Sequence, residues 1–153
     1  MAWRDARTRL GAAEVFWLST VRLDGRPHVT PLIAVGLDEA LYFTPGESER
    51  KAKNLAGNAH GILTTGCNRL TEDLDLVVAD DARRVTDDAH LRRVADAYEV
   101  KYGRDWRFTA KDGSFHHQGV HEGAVALVYE LSPTKALGFF RKGAEYSQTR
   151  WTF

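Results

Sequence analysis

EVFWLSTVRLDGRPHVTPLIAV, residues Glu14 to Val35, is the stretch on which the fold turns. Glu14 to Leu23 is rich in β-branched and aromatic residues, Asp24-Gly25 is a strong turn dipeptide, and Arg26 to Val35 resumes strand character. The stretch reads as a β-hairpin. Pro27 and Pro31 have no N–H to give to a ladder. The second strand is therefore expected at an edge, or irregular or bulged, with backbone groups open to a ligand.

Before the hairpin, Ala2 to Ala13 suits a short helix with Trp3, Ala6, Leu10 and Ala13 along one side. After it, Ala40 to Thr44 reads as a third strand, broken by Pro45-Gly46. Ser48 is the expected cap of a helix that runs to about Ala56 and stops at Gly57-Asn58. His60 to Thr65 is a short strand and Asp73 to Val85 a long one. Thr86 or Asp87 caps a helix over Asp88 to Tyr102, whose Leu91, Val94, Ala95, Tyr98 and Tyr102 share a face. Arg104 to Gly123 reads as a long loop with little apolar content. Ala124 to Leu131 is a buried strand, and Ala136 to Arg141 with Tyr146 to Trp151 forms a last hairpin turning at Lys142-Gly143. Strands follow one another as hairpins and do not alternate with helices. The expected class is mainly β (α+β): a single domain over residues 1–153, an antiparallel barrel with two or three helices outside.

Lys plus Arg equals Asp plus Glu at 21 each, so the chain lacks the basic excess usual in nucleic-acid binding. Cys67 is the only cysteine, which excludes an intrachain disulfide and a thiolate zinc cluster within one chain. The start, MAWRDARTRL, has no apolar core of a secretory signal, and no apolar run approaches the roughly 20 residues of a membrane span. The expectation is a cytoplasmic protein with no nucleic acid or membrane among its partners. The aromatic tail (Phe139, Phe140, Tyr146, Trp151, Phe153) is expected to dock into a core, a partner subunit or a ligand site.

The most telling chemistry lies in YFTPGESERKAKNL, Tyr42 to Leu55. A strand ends in a turn, and the helix that follows carries Arg50, Lys51 and Lys53 in its first turns. Cations there oppose the helix dipole, each by roughly 0.3–1 kcal/mol when exposed. Free backbone N–H groups gather at the same end. Donors and positive charge together make an anion seat, most often for phosphate. Arg50 offers a bidentate fork and Lys51 a point charge, with the hydroxyls of Thr44 or Ser48 beside them and Asn54 one turn beyond Arg50. The other reading of these residues is a solvated basic helix, its charge partly offset by Glu47 and Glu49. Neither GxxxxGK nor GxGxxG occurs, which argues against a nucleotide triphosphatase or a dinucleotide fold.

His116, His117 and His121, near Glu122, have a spacing that permits a metal, but a solvated loop accounts for them better and no metal is expected. His28 lies on the irregular strand, as a pocket-lining residue or as a plain surface or core histidine. Arg150 beside Trp151 suits stacking on a planar ligand or closing over a phosphate, against a core tryptophan with a surface arginine. Ser19 and Ser147 lack a GxSxG setting, and no residue is assigned a catalytic role.

The segments VFWLSTVRLDGRPHVTPL, LYFTPGESERKAKNL, ALVYEL and GFFRKGAEYSQTRW, in this order, resemble the pyridoxamine 5′-phosphate oxidase-like split β-barrel family. The likeness is to its small actinobacterial-type members, which include flavin- and deazaflavin-dependent oxidoreductases. The resemblance implies an FMN-binding type of barrel and a homodimer with the cofactor at the subunit interface. That cofactor is FMN or coenzyme F-420, a deazaflavin. The family's phosphate grip falls on Arg50 and Lys51, with Thr44 at the preceding strand end. Lys53 and Asn54 match positions associated with the deazaflavin, and His28, Val29, Thr30 and Pro31 match the segment along the ring. Arg150 and Trp151 look like residues that reach the cofactor, in cis or from the other subunit. The Arg-rich substrate-phosphate signature of true pyridoxamine phosphate oxidases is absent, so vitamin B6 oxidation is not expected. The implied activity is hydride transfer from the reduced cofactor to a small organic substrate such as a quinone, enone or tetrapyrrole. The alternative is a non-catalytic flavin- or haem-binding module on the same fold.

Overall fold

A computed structural model describes residues 1–153, the side chain of Glu72 excepted. In chain order the elements are α1 (Trp3–Ala12), β1 (Phe16–Val21), β2 (Pro27–Leu32), β3 (Ala34–Leu37), β4 (Ala40–Phe43), α2 (Arg50–Gly57), β5 (His60–Thr65) and β6 (Glu72–Val85). They continue with α3 (Asp88–Tyr102), a 3-10 turn (Arg104–Trp106), β7 (Phe108–Lys111), β8 (Ser114–His117), β9 (Val125–Ala126), β10 (Val128–Leu131), β11 (Lys135–Lys142) and β12 (Glu145–Thr152).

The β1–β2 hairpin forms as its sequence requires. Gly25 sits at φ 83°, and Asp24 accepts the Arg26 N–H at 3.1 Å. Both prolines fall on β2, which pairs only with β1 and forms an outer edge of the sheet. The strand expected to run unbroken to Val35 divides at Ile33: residues up to Leu32 pair with β1, and those from Ala34 pair with β4. One chain segment thereby feeds both ends of a nine-stranded antiparallel sheet ordered β2-β1-β5-β6-β10-β4-β3. The 14-residue β6 is its spine. It pairs with β5 along one edge and with β10 and then β11 along the other, and β12 closes against β11. The sheet curls into a split β-barrel.

Two cores result. Inside the curl lie Phe16, Leu18, Leu41, Phe43, Leu63, Leu76, Val78 and Leu131, capped by Ala6 and Leu10 of α1. On the other face of β3, β4 and β10, Val35, Tyr42 and Val128 pack against Leu91, Val94 and Tyr98 of α3 and against Phe108 and Phe115. Because β4 is covered on both faces, all four of its residues are buried.

The expected loop over Arg104 to Gly123 is largely structured. β7, β8 and β9 form a small sheet, with β7 and β8 joined through Asp112 (φ 53°) and Gly113 (φ 71°). Two consecutive positive φ values are what a tight hairpin turn asks for. Phe108, Ala110, Phe115 and His117 carry the alternation that marks these strands. Charged residues between them hide it.

Candidate functional site

The β2 strand alternates. His28, Thr30 and Leu32 are half-buried, while Pro27, Val29 and Pro31 are exposed on the opposite face. His28 and Thr30 pair with Thr20 and Leu18, both of which point inward. His28 Nδ1 and Thr30 Oγ1 are buried and have no hydrogen-bond partner. Partial burial, then the charges of Arg22, Lys51 and Arg50, hold the His28 imidazole below its usual pKa. Three cations, Arg22 from the β1–β2 turn and Arg50 and Lys51 from α2, thus act on one histidine whose own Nδ1 and the neighbouring Thr30 Oγ1 are unsatisfied. Arg22 was not legible as part of this group, because it lies past the end of β1 and acts on His28 only through the pairing of the hairpin.

At the head of α2 the cap is Glu49, not Ser48. The Glu49 carboxylate accepts the Gly46 N–H at 2.7 Å and meets Lys51 Nζ at 2.6 Å. Glu49 N–H closes a turn on Gly46 O at 3.0 Å, which leaves Ser48 exposed. No acidic residue lies in the first turn, so an anion at this end has only Glu49 to displace. The Arg50 and Lys53 side chains are exposed, and Lys51 is half-buried.

Asn54 is 2% exposed and its amide donates to Thr20 Oγ1 at 3.0 Å. The bond ties α2 to β1 beside His28, whose cross-strand partner is Thr20, and it occupies the Asn54 amide expected to face a ligand. The helical periodicity responsible also buries Ala52 and Leu55.

Thr44, Pro31 and Lys51 line a cavity of about 440 Å³. Its far wall was missed in the sequence: Trp106, Phe108, His117 and His121, brought there by the small sheet. His117 and His121 face each other at 5.3 Å between ring centroids, Trp106 stands 5.6 Å from His117, and His116 lies on the opposite face of β8. Among the described residues no three His, Cys, Asp or Glu side chains gather as a metal site would need.

The tail does not join this group within one chain. Trp151 faces inward and packs on Trp3 at 5.3 Å. Arg150 faces outward in a row that reads Pro31, Trp17, Thr64, Val77, Leu137, Arg150 across six strands. Five steps of about 4.8 Å put Arg150 roughly 24 Å from Pro31 along the sheet.

No helix of the described residues is long and apolar enough to cross a membrane. Among proteins of curated function none matches the chain. Solved structures do. A haem-binding protein from Mycobacterium smegmatis has a TM-score of 0.72 at 16% identity, covering 97% of this chain and 56% of that one. A putative 5-nitroimidazole antibiotic resistance protein from Bacteroides thetaiotaomicron has a TM-score of 0.69 at 16% identity, covering 90% and 82%. A FAD-binding protein from Mesorhizobium loti has a TM-score of 0.68 at 18% identity, covering 90% and 92%. Identities this low speak for the fold alone. A family model described as pyridoxamine 5′-phosphate oxidase matches residues 3–131, from α1 through the hairpin, the α2 anchor and the small sheet to the end of β10. On that match, and with a split barrel as its fold, the chain belongs to the pyridoxamine 5′-phosphate oxidase family.

Proposed function

We propose that the protein is an oxidoreductase that binds a flavin-type cofactor, FMN or coenzyme F-420, with its phosphate at the head of α2. The supporting observation is the convergence of Arg22, Arg50 and Lys51 on His28, whose Nδ1, with the Thr30 hydroxyl, is buried without a partner. Unsatisfied buried polar atoms in a positive field fit an absent polar anion better than a finished core. Arg50 and Lys51 would hold the phosphate, Glu49 yielding Lys51 to it. Thr44 would add a hydroxyl, and His28, Val29, Thr30 and Pro31 would lie along the ring. The cofactor supplies hydride transfer, and the chain need only bind and orient it and keep water from the ring. Asn54 is buried, so of the two residues that favoured the deazaflavin only Lys53 is exposed to a ligand, and FMN and F-420 both stay within the proposal.

The cofactor is proposed to sit between two copies of the chain. Trp17, Val29 and Ile62 are exposed on one continuous outer face that also carries Arg150. An apolar face of this kind marks a partner. Arg150 lies five strands along the sheet from β2 on this outer face and is proposed to act across the dimer.

The alternative is a non-catalytic flavin- or haem-binding module. Buried His117 favours a haem ligand, but its Nδ1 accepts the Gly119 N–H at 3.0 Å, which puts the ring hydrogen on the nitrogen that would ligate. A Soret band on adding haem, lost in His117→Ala, would restore that alternative.

The test titrates FMN and F-420 separately and follows cofactor fluorescence. The Arg50→Ala, Lys51→Ala double variant should weaken whichever binds by about 100-fold, the effect of losing charge-assisted bonds at two residues. Unchanged affinity would sink the anchor. Binding without oxidation of the reduced cofactor by quinones, enones or tetrapyrroles would point to the carrier.

A further inference from the structure

The cavity beyond the anchor has an aromatic wall that a phosphate does not use: Trp106, Phe108, His117 and His121. His117 is 5% exposed. Its Nδ1 accepts the Gly119 N–H at 3.0 Å, so the imidazole hydrogen sits on Nε2. That Nε2–H is buried and has no acceptor. Native folds seldom leave a buried donor unpaired, because its desolvation is uncompensated. Burial, then the neighbouring His121, holds the ring below its usual pKa and keeps it a neutral donor near pH 7.

The three rings around His117 have centroids at 4.7 Å (Phe108), 5.3 Å (His121) and 5.6 Å (Trp106). Phe108 is buried and Trp106 half-buried, while His121 is exposed; since Nε2 is buried, a ligand atom reaches it only when a side chain of this wall turns aside. Rings recognise a flat ligand through stacking and edge contacts. A neutral donor among them suits a neutral acceptor. A carboxylate would call for a cation, and the cavity's lining cation, Lys51, is the residue proposed to hold the phosphate. The whole cavity, which Lys51, Thr44 and Pro31 also line, is about 440 Å³, within the range of small-molecule pockets, and its aromatic end takes a small ring system.

We infer that this cavity binds a planar, ring-conjugated carbonyl compound between Trp106, Phe108 and His121, its carbonyl oxygen accepting a hydrogen bond from His117 Nε2–H. His117 is then a specificity-determining residue. That the bound compound is a substrate rests on the oxidoreductase reading; that it binds does not.

The experiment uses the full chain, with and without FMN, and two probes of one shape: 1-indanone, which carries the carbonyl, and indane, which lacks it. Calorimetric titration of wild type and His117→Phe should show the ratio of indanone to indane affinity falling about tenfold in the variant, the worth of one neutral hydrogen bond. His117→Gln, which restores a donor, should recover part of it. A ratio unmoved by His117→Phe overturns the inference. Should His117→Phe not fold, long-range 1H–15N spectra of wild type decide. The His117 hydrogen should be on Nε2, and that resonance should move with indanone but not with indane. An Nδ1–H tautomer, or no selective movement, overturns the inference. Flavin binding without the carbonyl preference removes this inference alone, and the preference without flavin binding removes the cofactor reading alone.

Discussion

Lys101 shows how a single residue's surroundings set its behaviour. Its ammonium lies 5.2 Å from the Phe16 ring centroid and 5.0 Å from that of Tyr102, and donates to Ala34 O at 2.8 Å. Half-burial holds its pKa down to about 8, from an ordinary 10.5. A folded value below the unfolded one means that the unfolded chain holds more protons between them. Stability therefore rises with pH from about 8, and below 8 the charged group is a cost. Tyr42, Tyr98, Tyr102 and Tyr129 are all pushed up by burial and oppose the rise once pH nears the tyrosine range of about 10. Lys101→Met should stabilise the fold at pH 7 and flatten the rise between pH 8 and about 9.5. Ala34 O keeps the Tyr102 hydroxyl at 3.0 Å. Urea denaturation at pH 7, 8 and 9 reads the difference, and an unaltered pH dependence would show that Lys101 is not the titrating group. Such a residue is invisible in sequence, where Lys101 is one cation near a helix end. Arg50 and Lys51 were legible because two cations at the wrong end of a helix are an anomaly of local sequence.

At the scale of elements, the turn into α2 is a small electrostatic device. Glu49 occupies Lys51 and closes on Gly46, taking the place proposed for an incoming phosphate. Glu49→Gln keeps an acceptor for Gly46 N–H and removes the competing charge. It should tighten cofactor binding about two- to fivefold, in keeping with the energy of an exposed ion pair. Weaker binding would mean that Glu49 itself contacts the cofactor. The small sheet makes a second case. A Cβ at Gly119 would collide with the Asp105 backbone, so the loop after β8 and the 3-10 turn bearing Trp106 fit only with glycine there. Gly119→Ala should cost about 1–3 kcal/mol. It should also loosen the Trp106 wall, seen as a lower Tm with a red shift of tryptophan emission. A Tm equal to wild type would show that the two loops part without cost. The β7–β8 hairpin was in principle readable from Phe108, Ala110, Phe115 and the Asp112-Gly113 turn, but its strands are four residues each and interleaved with charge. Patterns that short do not stand out from loop composition.

Over the whole molecule, the two faces of the large sheet differ in a way no single strand reveals. One face closes around the core. The other exposes Trp17 at 49% and Val29 at 52%, with Ile62 beside them. Sedimentation should find a dimer for wild type. Trp17→Glu should yield a monomer that keeps its far-ultraviolet circular dichroism but binds cofactor more weakly. A Trp17→Glu dimer would place the interface elsewhere. Arg150→Ala should likewise weaken cofactor binding only if the partner's tail reaches the site, and mixing Arg150→Ala with Arg50→Ala, Lys51→Ala chains should then restore one competent site per heterodimer.

The hairpins, the edge position of β2 and the cations of α2 were set by local rules: proline without an N–H, Asp-Gly in a turn, charge against a dipole. These need only a few neighbouring residues, so Glu14 to Val35 and Tyr42 to Leu55 sufficed to read them. The division of one strand at Ile33, the inward turn of Asn54 and the gathering of Arg22 with Arg50 and Lys51 depend on register across strands distant in sequence. So do the meeting of Trp106 with His117 and His121, and the separation of Arg150 from β2. A shift of one residue exchanges the faces of a strand, so only the folded sheet could decide which side chains share a cavity and which point out toward a partner.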